Sequence, residues 1–519
     1  MKTINVFYSA YQLPVLCELH QKLLKKLSIK PVYALTDSQY ELEFSEKFND
    51  CVFHSIYASR NGLPAKEFEN IQLCYMSDEL ELFADSFKDM AFEMMGRQSS
   101  DAWIFSYKER NWFFIWLVNY WNTVVQNTKP NVLLSRNIPH FATEYVLFNI
   151  CKFYNIPCFT FEDVSLISKS YVINGIDNRA KRIADLVGKQ EYTLSSVAKE
   201  KIDLVTKDFN EAIPSYYKRA RSNAKNEKSV GFLIGRFIKD VAYVLLGNPL
   251  RIVPSNIKMS KSPVYNPRSF VKAYSSRSHQ WKSRFIIYKN QKYYSNLCAL
   301  PNYSEKYVFF APTYQPERTS FPDAKKFNDN ILLIDILESC VPDDCLIYYK
   351  EHPSNFSFPG KDYYRGHLFR SEEYYERIGS YKKIRFIDKS VDPFKLIDNS
   401  LAVVTPTGTA AYQASMRGKP AIIFGETWFS ACEAIYRYYD RKGLKEFFDM
   451  VENGYRPKLN QWYEYFAALE QIVFDKGELL INDEKNNNGE SVGVNQSVVV
   501  AIVESIEREL KLHEFRCLK

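Results

Sequence analysis

Residues 401–418 read LAVVTPTGTAAYQASMRG, and this stretch decides the fold predicted for the 519-residue chain. The β-branched run 401–404 predicts a buried strand. The next residues permit a tight turn, residues 409–417 predict a helix, and Gly418 suits the position just after its last turn. A strand that turns directly into a helix is typical of a parallel α/β sheet. Free N–H groups at such a turn favour an anion, so phosphate binding is expected here.

The same alternation continues on both sides of this stretch. In the second half of the chain we predict strands at 307–311, 346–349, 384–387 and 421–424, with helices at 330–340 and 392–398. Asp392 and Pro393 suit the N-cap and the first turn of the latter helix. In the first half, strands are predicted at 4–9, 31–35, 132–134 and 157–161, with a helix at 143–154. The pattern indicates two doubly wound α/β domains of the Rossmann type that face a cleft.

Polar side chains follow four strands of the second half, where a parallel sheet gathers its ligand-binding groups. They are Gln315, Glu317 and Arg318; Lys350, Glu351, His352 and Pro353; Thr405, Thr407, Gly408 and Thr409; and Glu426. Two strand ends of the first half carry the candidates for a catalytic base or nucleophile, namely His140, Glu162 and Asp163. Surface acids and helix caps have the same appearance in a sequence, so the choice among these three stays open.

Composition and the absence of certain motifs exclude several classes of protein. The chain is 46% hydrophobic, and its ten cysteines show no C-x-x-C spacing, which indicates buried, reduced thiols rather than a zinc or disulfide framework. The N-terminus lacks a signal-peptide pattern, and no uncharged apolar run is long enough for a membrane span. We therefore expect a cytoplasmic protein. Phosphate-binding P-loop, zinc-protease H-E-x-x-H and G-x-S-x-G hydrolase motifs are absent from the sequence.

The net charge of +7 is unevenly distributed. Residues 216–295 hold 17 Lys and Arg against two acids, so this segment carries +15 and the rest of the chain −8. Three interpretations stay open: a solvated linker, a surface that binds anionic lipid on the inner face of the membrane, and a surface that binds an acidic glycan. Nucleic acid is not expected, because no nucleic-acid-binding motif accompanies the charge. Within the segment, an amphipathic or buried helix is predicted near 230–250.

The motifs YQPERT (314–319), KEHP (350–353) and VTPTGTA (404–410), followed by RGKP (417–420), resemble bacterial capsular polysaccharide biosynthesis proteins. Those are GT-B-type glycosyltransferases, distantly similar to CMP-Kdo transferases and to bacterial sialyltransferases with an HP motif and a Ser/Thr-rich motif. A weaker match is IPH (138–140). By this resemblance His352, Thr407 and Thr409 hold the donor phosphate, the donor is a CMP-activated acidic sugar such as Kdo or a nonulosonate, and no metal or other cofactor is required. The E-x7-E donor signature of many retaining GT-B enzymes is absent, since Glu426 and Glu433 are one residue too close.

The strand and helix pattern and the charge distribution divide the chain into four segments. Residues 1–215 form an acceptor-side α/β domain, 216–300 a basic connector, 301–480 a nucleotide-sugar-binding α/β domain, and 481–519 a loop and a C-terminal helix. The expected partners are a nucleotide-sugar donor and an oligo- or polysaccharide acceptor, free or lipid-linked. Two alternatives stay open: a transferase of polyol phosphate from a CDP-linked donor, of the teichoic-acid type, and a non-catalytic glycan-binding or scaffold protein.

Overall fold

The computed structural model describes residues 3–11, 13–36, 46–60, 62–98, 106–177, 179–189, 191–207, 231, 234–235, 238, 277–356, 369–475, 494 and 496–517. Its strands, in chain order, are β1 (Ile4–Tyr11), β2 (Ile29–Thr36), β3 (Val52–Ser55), β4 (Val132–Ser135), β5 (Cys158–Val164), β6 (Lys169–Asn174), β7 (Tyr307–Phe310), β8 (Leu346–Tyr349), β9 (Ile384–Phe386), β10 (Ala402–Thr405), β11 (Ala421–Ile423), β12 (Tyr436–Arg437) and β13 (Phe474–Asp475).

The helices cover both faces of the two sheets. In chain order they are α1 (Leu13–Leu24), α2 (Ile56–Arg60), α3 (Asp78–Gln98), α4 (Tyr107–Thr128), α5 (Ala142–Phe153), α6 (Lys181–Ala184), α7 (Ser196–Lys207), α8 (Arg277–Leu297), α9 (Asn330–Cys340), α10 (Glu372–Gly379), α11 (Pro393–Asn399), α12 (Ala410–Met416), α13 (Arg441–Glu452), α14 (Leu459–Leu469) and α15 (Gln496–Cys517). Short 3-10 turns occur at Lys66–Phe68, Lys325–Asn328 and Pro353–Phe356.

The first sheet has the order β13-β6-β5-β4-β1-β2-β3. Strands β1 to β5 are parallel, while β6 runs antiparallel to β5 and β13 runs antiparallel to β6. The chain builds outward from β1 through β2 and β3, then returns to the other side of β1 with β4. The ends of β1 and β4 therefore form a topological switch point, the place where open α/β sheets bind ligands.

The second sheet has the order β12-β11-β10-β7-β8-β9 and is parallel throughout. Its switch point lies between β7 and β10. The predicted helix ends are confirmed at two residues. Asp392 accepts a hydrogen bond from the Phe394 N–H, with Pro393 in the first turn of α11. Gly418 has a φ of 74°, the left-handed conformation that favours glycine after a helix. The prediction of two doubly wound α/β domains is confirmed.

The chain returns to the first domain at its C-terminal end. Strand β13 extends the first sheet, and α15 packs its apolar residues Val498, Val499 and Ile502 into the core cluster that contains Val15 and Leu19 of α1. Another core cluster is shared by the two domains and includes Ile138 and Tyr171 beside Trp428 and Trp462. The domains are thus joined by packed apolar side chains next to the cleft.

The structure corrects some of the predicted elements, and other predicted elements lie among residues that it does not describe. Strand β5 does not end at Phe161 but continues to Val164, because residues 159–164 pair with β6, so Glu162 and Asp163 lie within a strand rather than after one. Helices α3 and α4 were not predicted. Of the helix predicted near 230–250, residues 231, 234, 235 and 238 are described, and they are helical. Most of the basic segment 216–295 and of the loop predicted after residue 480 lies outside the described residues. The domain limits at 215, 300 and 480 therefore stay a proposal. No described helix is both long and apolar enough to cross a bilayer.

Candidate functional site

A cavity of about 650 Å³ lies between the carboxyl ends of the two sheets. Thirteen of the fifteen predicted site residues line it; Gln315 and Glu426 do not. From the first domain these are His140, Glu162 and Asp163, and from the second Glu317, Arg318, Lys350, Glu351, His352, Pro353, Thr405, Thr407, Gly408 and Thr409. We call the two sides the first-domain wall and the second-domain wall. The topology brings them together because both sheets point the same strand ends at the cleft.

Glu351 anchors the segment that follows β8. Its side chain is fully buried, and Arg370 donates to Oε2 from Nε at 2.6 Å. Burial on its own raises the pKa of Glu351, but the charge of Arg370 and several hydrogen bonds outweigh it and hold that pKa below its usual range. Glu351 also accepts from the Asn355 amide at 2.6 Å and from the backbone N–H of His352 at 2.9 Å. The carboxylate thus fixes the position of the next residue, His352.

Gln315 belongs to the same buried network rather than to the cavity lining. Its Oε1 accepts from Arg370 at 2.6 Å, and its Nε2 donates to the Asn328 carbonyl at 2.7 Å. The network therefore joins the turn after β7 to the turn after β8. Arg370 was missed in the sequence, since a lone arginine before a helix carries no signal that it pairs with a carboxylate nineteen residues earlier.

His352 is held in one tautomer. The backbone N–H of Ser354 donates to its Nδ1 at 3.2 Å, so Nδ1 carries no proton and the neutral ring bears its proton on Nε2. Burial, reinforced by the charge of Lys350 and opposed by that of Glu351, lowers the pKa of His352 from 6.5 to about 4. At neutral pH this side chain is an uncharged hydrogen-bond donor. Lys350, itself buried, lines the cavity beside it.

The Thr-rich turn after β10 is tightly built. The Gly408 N–H donates to Thr405 Oγ1 at 3.0 Å, and Thr407 Oγ1 donates to the Thr319 carbonyl at 2.6 Å. Thr409 precedes α12 without capping it through its side chain, and it lines the cavity. Gly425, from the neighbouring turn, packs so closely that an added Cβ would lie 2.5 Å from Thr407 Cγ2. The turn is fixed by contacts on both of its sides.

The first-domain wall presents His140 in the opposite tautomer. Its Nδ1 lies 2.6 Å from the Ile138 carbonyl oxygen, which can only accept, so Nδ1 carries the proton and Nε2 has the lone pair when the ring is neutral. The same wall contributes Asp163, whose Oδ1 accepts from Ser170 Oγ at 2.7 Å. Both residues line the cavity.

Glu162 belongs to a buried cluster of two arginines and two acids that links the domains. Arg179 donates to Glu162 Oε2 at 2.6 Å and lies 3.0 Å from Asp323 Oδ1. Arg318 lies 3.4 Å from both Glu162 Oε1 and Asp323 Oδ2. Both oxygens of Glu162 are therefore engaged by arginines. Arg179 was not identified from the sequence.

Two other predicted residues serve the turns around the cavity. Glu317 accepts from the Thr319 N–H at 2.9 Å and from its hydroxyl at 2.8 Å, and so shapes the turn after β7. Glu426 is buried outside the lining, pairs with Arg437 and lies 3.6 Å from Lys325. Its backbone carbonyl accepts from Arg179, which ties the turn after β11 to the charged cluster.

The second-domain wall also includes the apolar residues Phe309, Pro393, Phe394 and Ile397 and the amide side chain of Gln413 from α12. Apolar side chains with a few polar groups are typical of sites that bind small ligands. Gln413 was not predicted, because it lies one turn inside a helix. Among the described residues, no group of three or more His, Cys, Asp or Glu is placed to hold a metal ion.

Comparisons with known proteins add a limited finding. No protein-family profile matches the chain, and no curated protein sequence does. A UDP-GlcNAc 2-epimerase from Methanocaldococcus jannaschii is 11% identical, covering 91% of this chain and 99% of that one with a TM-score of 0.25. A KpsC β-Kdo 2,7-transferase from Thermosulfurimonas dismutans is 10% identical, covering 74% and 88% with a TM-score of 0.29. A glycosyltransferase from Rickettsia africae is 10% identical, covering 98% and 100% with a TM-score of 0.23. Values this low carry no argument about function.

Proposed function

We propose that this chain is a glycosyltransferase of bacterial capsule or other surface-polysaccharide synthesis. It transfers a sugar, of the Kdo or nonulosonate kind, from a CMP-linked donor to a glycan acceptor. The observation that carries the proposal is the pair of histidines held in opposite tautomers on opposite walls of one cleft. His140 offers a lone pair and His352 offers a proton. Transfer of a sugar to a hydroxyl needs both, one to receive the acceptor's proton and one to stabilise the leaving phosphate.

The second-domain wall is suited to the nucleotide. Lys350 brings positive charge, His352 an N–H donor, and Thr409 a hydroxyl, while the Gly408 N–H and the Thr407 hydroxyl hold the turn in place through internal hydrogen bonds. The apolar lining residues Phe309, Phe394 and Ile397, with the amide of Gln413, would take the base. Helix α12 has only seven residues, so we assign the phosphate to these individual donors rather than to a helix dipole. The choice of CMP comes from the family resemblance, and no metal is needed in this scheme.

The first-domain wall is suited to the acceptor. In the proposed step the acceptor hydroxyl oxygen attacks the anomeric carbon and forms the new C–O bond. The bond from that carbon to the phosphate oxygen breaks, CMP leaves with the electron pair, and the hydroxyl proton passes to His140 Nε2. We prefer His140 to Glu162 as the base because both Glu162 oxygens are held by arginines. Asp163 remains the second candidate for this role.

The test is a titration of the purified protein with CMP, CDP, UDP and GDP. We expect CMP to bind most tightly, and His352→Ala to weaken it by roughly tenfold to a hundredfold, since a hydrogen bond to a charged group contributes about 1.5–3 kcal/mol. His352→Gln keeps an N–H donor and should retain part of the affinity. Preference for CDP would favour the polyol phosphate transferase. Failure of all four nucleotides to bind at millimolar concentration would leave only the non-catalytic alternative.

Association with an anionic membrane surface through residues 216–295 is a separate part of the proposal. Of this segment the structure describes mainly α8, so the support is the charge of +15 alone. Sedimentation with vesicles tests it: binding should be stronger to vesicles with anionic lipid and should weaken with added salt. Equal binding to neutral and anionic vesicles would refute it.

A further inference from the structure

One cationic side chain in the cleft is not accounted for by the proposed donor site. Arg136 follows β4 directly, at the switch point of the first sheet, and lines the cavity four residues before His140. It is half-buried, and within the described part of the chain it makes no ion pair. Its charge interacts with the phenol of Tyr11, at the end of β1. A partly desolvated guanidinium is costly unless an anion compensates it.

Five acids line the cavity, and none of them forms an ion pair with Arg136. Glu351 pairs with Arg370, and Glu162 and Asp323 pair with Arg179 and Arg318. Asp163 and Glu317 accept hydrogen bonds from Ser170 and from Thr319. Within the described residues, the charge of Arg136 therefore has no ion-pair partner.

The backbone fixes Arg136 at this switch point, because its N–H donates to the Ser9 carbonyl of β1 at 3.0 Å. The phenol of Tyr11, on the same strand, is 2% exposed. Burial, partly offset by the charge of Arg136, raises the pKa of Tyr11, so the phenol stays protonated and does not neutralise the guanidinium.

We propose that Arg136 forms a carboxylate-binding subsite that selects an acidic sugar beside His140. The guanidinium presents a planar fork that matches a carboxylate with two parallel hydrogen bonds. That the ligand is a sugar rests on the proposed function; that it is an anion rests on the uncompensated charge of Arg136 in the cavity lining. The carboxylate belongs either to the donor sugar or to the acceptor residue that receives it.

The experiment uses the full chain and three probes of equal ring size: glucuronate, glucose and glucose 6-phosphate. Binding is followed by ligand-observed NMR. We expect glucuronate to bind more tightly than glucose by about tenfold or more. Arg136→Gln should abolish this preference, and Arg136→Lys should keep part of it. Arg377→Gln, an exposed arginine on α10, is the matched control and should change nothing.

The outcomes separate the two proposals. CMP affinity of Arg136→Gln should equal that of the wild type, which also reports that the variant is folded. If CMP binds but glucuronate binds no better than glucose, or equally well to Arg136→Gln, the subsite is refuted while the proposed function stands. Preference for glucose 6-phosphate over glucuronate would refute the carboxylate assignment. With a donor and acceptor in hand, Arg136→Gln should raise the KM of whichever substrate carries the carboxylate; an unchanged KM for both would also refute the subsite.

Discussion

Replacing Arg370 by methionine removes the counter-charge of a fully buried carboxylate. Glu351 would keep its neutral donors, Tyr349 at 2.9 Å, Tyr375 at 3.2 Å and Asn355 at 2.6 Å, but it would lose the guanidinium at 2.6 Å. Breaking a buried ion pair from one side typically costs about 3–5 kcal/mol, a large fraction of the roughly 5–15 kcal/mol by which proteins are stable. We expect Arg370→Met to lose stability in that range.

The assay is urea unfolding of four proteins: the wild type, Arg370→Met, Glu351→Gln and the double variant. Glu351→Gln removes the charge that Arg370 neutralises. In that background Arg370→Met should therefore lower the free energy of unfolding by much less, which corresponds to a coupling energy between the two residues of about 2 kcal/mol or more. Arg370→Met should also weaken CMP binding, since Glu351 accepts from the His352 N–H. Arg377→Met, on exposed surface of α10, is the control. Additive effects within about 0.5 kcal/mol would show that the pair does not hold this region together.

Two further predictions concern packing and acid sensitivity. Gly425→Ala would place a Cβ 2.4 Å from the Asp323 carbonyl oxygen, so the backbone must shift at a cost of about 1–3 kcal/mol, and CMP affinity should fall because Thr407 is displaced. Gly379→Ala, whose Cβ would meet only Phe386 at 3.4 Å, should be close to neutral in the same unfolding and binding measurements; equal losses in both variants would contradict the argument. For His54, burial lowers the pKa from 6.5 to about 4, so the unfolded chain takes up a proton below pH 6.5 and the folded protein does not. Its stabilising contribution is complete above pH 6.5 and is lost as the pH falls toward 4, which lowers the free energy of unfolding by about 3 kcal/mol. His54→Gln should flatten the dependence of the unfolding free energy on pH across this window, and an unchanged slope would refute the assignment.

The strands of the second domain, and the residues that follow them, were predicted more accurately from the sequence than those of the first domain. Its strands are short β-branched or aromatic runs followed by turn residues, so Leu346–Tyr349 was located to the residue and the rim residues after each strand were found. In the first domain the antiparallel hairpin of β5 and β6 has no turn signal at Phe161, and Glu162 was placed after a strand that in fact continues. Helix α4 has weak apolar periodicity, because residues on both of its sides are buried.

The parts of the site that could not be predicted depend on long-range pairing. Arg370, Arg179 and Gln413 have ordinary sequence surroundings, and their roles arise only when distant turns come together. Arg136 lay within a strand end that was recognised, yet nothing in the sequence indicates that its charge lacks a counter-ion. Residue type and position after a strand identify which groups can reach a cleft. Which of them are free to act is decided by the neighbours that three-dimensional packing supplies.

The return of β13 and α15 to the first sheet has a consequence for the order in which the protein matures on the ribosome. Strands β1 to β6 are synthesised first, but β13 has yet to pair with β6, and the apolar face of α1 that α15 covers stays uncovered until residues 474–506 have left the exit tunnel. The first domain is therefore completed only after the second domain has been made. Until then its nascent form presents an open strand edge and an apolar groove, the two features that chaperones recognise and that aggregation exploits.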